Sequence, residues 1–503
     1  MNKFSAQKVV IIGSGFSGLS TACHLASKGF QVSILEKNEQ VGGRARLFEE
    51  KGYRFDMGPS WYWMPDVFEN FFSHFGHSVA DYYQLVRLDP SYQIFFGKDD
   101  IMSLPASMQN LESLFESIET GAGKKLQLFM KDAGYKYKVA MSDLIYKSGS
   151  RISDYLNAKV LGGLVKTDIL RSFSSYARKY FKDPRLLQII EFPVLFLGAS
   201  PDNIPALYSL MNYADMQLGT WYPMGGMHKI VEAMHSIAVA HKVDVQLNSP
   251  VEKIVMETNG RAKGVIVNGK FLPADIIVAG ADYQHVEQHL LDAPQRFYSA
   301  EYWNKRTLAP SSLIYYLGVK KKIEKLKHHN LFFDADMHQH AHEIYTQPAW
   351  PSRPLFYVSC PSKTDPGVAP ENCENLFILI PAAPGLSDSP EIKEKYFNIV
   401  MDRLEKQTGE SIRPFIEYKH SYAQSDFISD YNAFKGNAYG LANTLRQTAF
   451  LKPSMRSKKV HNLFYTGQLT VPGPGVPPAI ISGQIAADEI IKTIKPFSYE
   501  TAI

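Results

Sequence analysis

The segment Lys8-Val-Val-Ile-Ile-Gly-Ser-Gly-Phe-Ser-Gly18 limits the folds open to this chain more than any other stretch. Residues 9–12 form a short, wholly apolar run, as a buried parallel strand requires. Gly13, Gly15 and Gly18 follow at G-x-G-x-x-G spacing. The first permits a tight turn, the second lets a pyrophosphate approach the backbone, and the third lets the next helix pack close to the strand. That helix opens directly after the loop, so it offers free N–H groups and a positive dipole end to the phosphates. Leu19, Ala22, Leu25 and Ala26 supply its apolar face, and Gly29 suits its stop. A second strand over 31–35 ends at Glu36, an acid placed to hold a ribose hydroxyl. Strand, glycines, helix, strand and acid in that order predict a dinucleotide site.

Which dinucleotide is set by Val41-Gly-Gly-Arg44. Two further glycines allow close backbone approach, and Arg44 can neutralise a phosphate by bidentate contact. A nicotinamide-binding half has no general need of this second element, whereas a permanently held flavin does. A third signal lies near the C-terminus, in Asn462-Leu-Phe-Tyr-Thr-Gly-Gln-Leu-Thr-Val-Pro-Gly-Pro-Gly-Val-Pro-Pro478. Gly467, Gly473 and Gly475 let backbone run close to a bulky planar ring. A helix starting near Ala479 would aim its positive end there, which favours a reduced flavin carrying negative charge.

The chain has 503 residues, enough for two or three domains. Apolar residues make up 45% and aromatics 13%, a share that fits a roomy apolar cavity. A net charge of +4 without a compact Lys/Arg block argues against nucleic acid as a partner. Cys23, Cys360 and Cys373 form no C-x-x-C pair, which suits a reducing compartment and not a structural zinc site. The first strand begins too early to leave room for a cleaved signal peptide, and no apolar run reaches the ~18 residues a membrane span needs. Cytoplasmic location is therefore expected.

The pattern from about 65 to 213 reads as mostly helical. Runs at 245–254, 262–267 and 275–279 read as strands returning to the first sheet, with Asn259-Gly260 and Asn268-Gly269 as hairpin signals. Strands over 312–319, 355–360, 376–380 and 416–420 predict an antiparallel sheet, with a helix over 391–407 among them. The last strand covers 462–465 and the last helix 480–491. The fold class is α/β. A Rossmann-like FAD-binding domain is assembled from 1–65, 222–290 and 455–503, with a helical substrate and membrane-facing region at 66–221 and an inserted mixed α+β substrate domain at 291–454.

These segments resemble the bacterial phytoene desaturase family, carotenoid-forming flavoenzymes within the amine-oxidase-like FAD superfamily. The resemblance rests on the Gly13–Gly18 loop, Val41–Arg44, Phe55-Asp-Met-Gly-Pro59, Tyr222-Pro-Met-Gly-Gly-Met227 and Gly473-Pro-Gly-Val-Pro477. The first two are shared across the superfamily, and the last two look like the carotenoid desaturases in particular. One departure is Pro478, where a glycine is expected. The resemblance implies FAD as cofactor and a candidate binding set of Gly13, Gly15, Gly18, Glu36, Gly43, Arg44, Val251, Gly467, Gly475 and Val476. It implies conversion of phytoene to lycopene by successive dehydrogenations, with an external electron acceptor such as oxygen or a quinone. A desaturase or ketolase of a later carotenoid is the neighbouring reading. A lipid carrier on the same fold is the reading from another class, opposed by the intact glycines, Glu36 and Arg44.

Such a reaction needs little acid–base machinery, and no Ser-His-Asp arrangement or metal-ligand spacing is evident. His338, His340 and His342, near His328 and His329, read as a solvated polar loop. Asp56 is the weak candidate for proton acceptor, with turn capping as its alternative. Trp61, Tyr62, Trp63, Trp221 and Tyr222 either line a polyene tunnel or pack as core. Two stretches either pack against the core or dock on the cytoplasmic membrane. One is the aromatic stripe Phe68, Phe71, Phe72 and Phe75. The other is the basic amphipathic run from Lys124 to Ile145.

Overall fold

The computed structural model describes Phe4 and residues 7–149, 171–195, 197–444 and 446–493. Its first layer is a five-stranded parallel sheet drawn from four separate parts of the chain. The strand order is Leu463–Tyr465, Ile276–Ala279, Lys8–Ile12, Gln31–Leu35 and Asp244–Gln246. Lys8–Ile12 sits at the centre with Val9 to Ile12 all buried, which explains its unbroken apolar run. The helices Phe16–Ser27, His228–Ala240 and Val476–Thr493 pack together on one side around Leu19, Ile230, Met234 and Ile480.

The second sheet has seven strands, in the order Ile416–Tyr422, Ser311–Val319, Glu374–Ala382, Phe356–Ser359, His329–Phe332, Tyr92–Gly97 and Asp100–Leu104. Alternation along these strands sorts the side chains to two faces. Leu313, Tyr315, Leu317, Ile378 and Val358 face the helix Pro390–Thr408, against Phe397, Val400, Met401 and Leu404. The other face carries Ile314, Leu331, Tyr357 and Leu379. That face forms one wall of the cavity described below.

Two expectations are corrected. The stretch from 65 to 213 is not simply helical, because Leu85–Arg87, Tyr92–Gly97 and Asp100–Leu104 are strands and the last two join the large sheet. Residues 150–170 of that stretch lie outside the described residues. The run 245–254 divides into two strands. Asp244–Gln246 ends the parallel sheet, while Val251–Met256, Ala262–Val267 and Lys270–Pro273 form a separate antiparallel sheet. Asn268 and Gly269 turn its second hairpin with φ of 48° and 71°, as a type I′ turn requires.

The aromatic stripe takes the core-facing alternative. In the helix Pro65–His74, Phe68, Phe71 and Phe72 are buried in the core beside the parallel sheet, so this face is not free for a membrane. Periodicity identified the face correctly, but its partner is protein. No helix among the described residues is long and apolar enough to cross a membrane.

Candidate functional site

A single cavity of about 760 Å³ runs from the glycine loop at the strand ends to the face of the large sheet. Of the ten predicted cofactor residues, nine line it: Gly13, Gly15, Glu36, Gly43, Arg44, Val251, Gly467, Gly475 and Val476. Gly18 does not, and its role is packing. A Cβ there would stand 2.1 Å from the carbonyl oxygen of Gly13.

Gly15 presents the opposite case. Its φ of −66° is open to any residue, and a Cβ there would meet no atom within 4 Å. Neither its own backbone nor any neighbour demands glycine. Only the open space of the cavity lies in front of it. Gly42 and Gly43 have φ of 110° and 56°, and this left-handed pair turns the second glycine element onto the first. Gly42 N donates to Ser14 O at 3.0 Å, and a Cβ on Gly43 would lie 3.2 Å from Gly15 Cα.

Glu36 is fixed in place by the loop it serves. Its Oε2 accepts from Ser14 N at 2.9 Å and from Ser14 Oγ at 2.7 Å, and its Oε1 accepts from Asn38 N at 2.9 Å. Arg44 donates from Nη2 to Asn437 O at 3.2 Å and lies 5.0 Å from the centre of the Tyr431 ring. Its Nε is buried and has no partner among the described residues. Burial lowers the Arg44 pKa from its ordinary value, and the charge of nearby Asp282 opposes that shift. A guanidinium with an unused donor inside a groove lined by glycine backbone fits an anionic group such as a pyrophosphate.

The last helix starts at Val476, earlier than the expected 479. Pro477 and Pro478 fill its first turn and carry no N–H, while Ala479 N donates to Gly475 O at 3.0 Å. The free donors at this end are therefore confined to the backbone around Gly475 and Val476, beside the cavity.

Asp56 does not line this cavity. Its Oδ2 accepts from Met227 N at 2.7 Å and its Oδ1 from His228 N at 2.9 Å, so it caps the helix His228–Ala240. The acid is committed to that backbone, and the capping alternative describes its geometry. The histidines also depart from expectation. His338, His340 and His342 lie on a helix, Met337–Tyr345, and His340 is buried. Its Nε2 donates to Pro381 O at 2.9 Å, and its Nδ1 accepts from Leu355 N at 3.1 Å. His328 and His329 are buried at the start of a strand, and burial pushes both well below the usual histidine range. No cluster of three His, Cys, Asp or Glu suited to a metal occurs among the described residues.

Beyond the glycine end the cavity is apolar. Trp61, Trp63, Phe192, Leu195, Leu197 and Met211 face the wall built by the large sheet. Of the five aromatics singled out in sequence, Trp61 and Trp63 reach the cavity. Tyr62 stacks on Phe68, Trp221 lies near Arg87, and Tyr222 bonds to Asp365 at 3.4 Å. Among the described residues the carboxylates on the lining are Glu36, Glu252, Asp282 and Asp430, none of them on the large-sheet wall.

Lys452 was not visible as a special residue in sequence. Its Nζ is buried without a partner among the described residues, 3.2 Å from where a Cβ on Gly473 would stand. Burial pushes this amine down to about 7. Between that value and the ~10.4 of a solvated lysine, the unfolded chain holds more protons than the folded one, so stability rises with pH across this window. Lys452→Met should raise the thermal midpoint, by more at pH 6 than at pH 10. Melts showing the same gain at both values would count against a neutral, unpaired amine.

Comparisons with known proteins agree with this geometry. The model of the family described as flavin containing amine oxidoreductase matches residues 16–491. The carotenoid 3,4-desaturase of Haloarcula japonica is 41% identical over 498 residues, covering 98% of this chain and 100% of that protein. The phytoene desaturase of Fusarium fujikuroi is 30% identical over 512 residues, covering 97% and 89%. A 4,4'-diapolycopene oxygenase from Methylomonas sp is 30% identical over 513 residues, covering 98% and 100%. Among solved structures, putrescine oxidase bound to putrescine superposes with a TM-score of 0.63 at 14% identity, covering 97% of this chain and 99% of that one. An oxidoreductase from Methanosarcina mazei gives 0.62 at 17%, covering 96% and 100%. At such identities the structures speak for the fold alone. The chain belongs to the flavin-containing amine oxidoreductases and, within them, to the carotenoid desaturase family.

Proposed function

We propose that this oxidoreductase uses FAD to remove hydrogen from an acyclic carotenoid. The observation that carries the reading is the continuity of the cavity from a glycine-lined, Arg44-bearing groove to an apolar chamber walled by Trp61, Trp63 and Phe192. Gly13, Gly15 and Arg44 would hold the pyrophosphate, Glu36 the ribose, and the backbone at Gly467, Gly475 and Val476 the ring system. Once bound, FAD supplies the two-electron oxidation. The protein aligns an allylic C–H bond with it and keeps water out.

For the substrate, the 41% identity to a carotenoid 3,4-desaturase over full length supports a late, already conjugated polyene. The second reading is conversion of phytoene to lycopene; a phytoene desaturase at 30% identity and a zeta-carotene-forming phytoene desaturase at 29% support phytoene as the substrate. The electron acceptor in this proposal is oxygen or a quinone.

The proposal includes attachment to the cytoplasmic face of a membrane, since a long polyene is delivered from lipid. On the helix Ala122–Val139, Leu126, Phe129 and Met130 are buried, so that side of the basic run is core. The outer side supports the membrane reading. Leu128 is 62% and Tyr135 41% exposed, flanked by the exposed Lys124, Lys131 and Lys138.

Three tests follow. Gly15→Val should fold and melt like the parent while losing flavin about tenfold or more, a penalty of ~1.4 kcal/mol or above in binding. Gly18→Val should instead destabilise the fold by ~1–3 kcal/mol or more, because its clash is with backbone. Normal flavin content in the first variant would refute the assignment.

For the reaction, purified yellow protein is given FAD, oxidant and liposomes carrying either phytoene or a longer-conjugated acyclic carotenoid. Absorption should move to longer wavelength as conjugation extends, and the substrate that reacts decides between the two readings. Inertness toward every carotenoid despite bound flavin would end the desaturase proposal.

For the membrane, flotation with anionic vesicles should weaken in salt without vanishing, and Leu128→Asp with Lys131→Glu should reduce it about tenfold or more. Flotation unaltered in that variant would discard this surface.

A further inference from the structure

Making a carbon–carbon double bond removes a hydride from one carbon and a proton from its neighbour, and the proton needs an acceptor in the apolar part of the cavity. Among the described residues the choices there are few. The four lining carboxylates among them are all engaged elsewhere: Glu36 with Ser14 and Asn38, Asp282 with His285 N and Phe434 N, Asp430 with Arg46 and Tyr422, and Glu252 with Gly269 N. His340 reaches the cavity, but both its nitrogens are bonded to backbone.

Tyr357 differs. It lines the cavity from the strand Phe356–Ser359, and register places it opposite Leu331 on the neighbouring strand. His329 and Leu331 share one face of that strand, so His329 lies diagonally behind Tyr357. The Tyr357 hydroxyl and His329 Nδ1 are 2.6 Å apart. His329 is fully buried, stacks on Trp61 at 4.0 Å between ring centres, and has no partner at Nε2 among the described residues. His328 packs edge-on against it at 4.5 Å. The pair thus joins the hydroxyl of a cavity-lining tyrosine, which also interacts with the Ser60 and Ser359 side chains, to an imidazole with one nitrogen uncommitted.

We infer that Tyr357 and His329 form the proton-accepting relay of the reaction, Tyr357 as the catalytic residue and His329 as the positioning residue behind it. This inference rests on the desaturase reading proposed above. A hydride would leave one carbon with two electrons, the oxidation that bound FAD would supply. The neighbouring carbon gives its proton to the Tyr357 oxygen, and the electron pair of that C–H bond becomes the new π bond. Tyr357 passes its own proton to His329 Nδ1. One C–H bond is broken on each carbon, the two electrons would be taken up by bound FAD, and the proton would leave by way of the imidazole. Burial keeps His329 neutral before the step, and the same desolvation makes it a weak base that holds the proton only in passing. The base need not be strong, because loss of hydride leaves a cation whose adjacent C–H is acidic.

The test uses flavin-loaded protein and the polyene found to react. Tyr357→Phe removes one atom. His329→Asn keeps an acceptor near the Nδ1 position but cannot carry a proton. Anaerobic single-turnover bleaching of the flavin is followed in each variant and in the double variant, together with flavin content, KM and the solvent isotope effect.

The expected result is a fall of about a hundredfold in bleaching rate for either variant, in the range of general acid–base catalysis. KM and flavin content should stay near parental values, the solvent isotope effect should be lost in Tyr357→Phe, and the double variant should be no slower than the slower single one. Parental bleaching in Tyr357→Phe overturns the relay. So does a raised KM at unchanged rate, or a double variant whose losses multiply. If His329→Asn does not fold, Tyr357→Phe and the isotope effect decide alone. Parental protein that binds flavin yet is bleached by no polyene overturns the desaturase reading itself, and the relay with it.

Discussion

A contact between backbones holds the cofactor groove in shape. The helices Phe16–Ser27 and Val476–Thr493 come from opposite ends of the chain and meet where side chains have been dispensed with. A Cβ on Gly483 would lie 2.4 Å from Ser17 O, and one on Gly18 would lie 2.1 Å from Gly13 O. Ser20 Oγ and Thr21 Oγ1 seal the approach by donating to Ile480 O at 2.7 Å and Gly483 O at 3.1 Å. This closeness lets the first glycine loop and Gly467 face one cavity, and Ser17 sits 3.2 Å from where a Gly467 Cβ would be. Widening the contact by one methyl group would part the groove's two halves, whatever the loops themselves preferred.

The large sheet imposes the second constraint. Its period of two gives one face to the helix Pro390–Thr408 and leaves the other to the cavity, so an apolar chamber follows from an ordinary sheet with only one face covered by its helix. Charge is segregated as a consequence. Arg44, Glu36 and Asp282 gather near the glycine loops, while the opposite wall offers rings and aliphatic chains. A molecule with a charged cofactor on one side and hydrocarbon on the other suits that division.

Legibility in the sequence followed the distance between cause and effect along the chain. The glycine elements and Glu36 could be read because their reasons are local: a tight turn, a left-handed φ at Gly42 and Gly43, a carboxylate two residues from the Asn38 N–H it accepts from. Asp56 was harder, since the backbone it caps lies 171 and 172 residues away. The phenylalanine stripe was legible as a face, but its partner was not, because periodicity reports that a side is buried and not what buries it. Tyr92–Gly97 and Asp100–Leu104 were missed for a related reason: they are strands through pairing with His329–Phe332 and each other. Tyr357 left no signal, and His329 was read only as part of a polar stretch. A tyrosine and a histidine 28 residues apart become a pair only through strand register.

Under the proposed reaction, the same register solves a problem that a hydrocarbon substrate creates. Loss of hydride puts positive charge on a molecule with no polar group to spread it, and water would capture such a cation. The aromatic faces of Trp61, Phe192 and Tyr357, with ring centres 5.3 and 5.4 Å from Trp61, supply electron density without supplying a nucleophile. A carboxylate in their place would attract the cation more strongly, but it could also add to it and would cost more to bury. A neutral phenol backed by a neutral imidazole avoids both outcomes. It offers a lone pair for the departing proton, holds no net charge before the step, and returns to neutrality once the proton moves on. The weakness of the base thereby becomes a requirement of the chamber: a group basic enough to be charged at rest could not be kept dry beside Trp61.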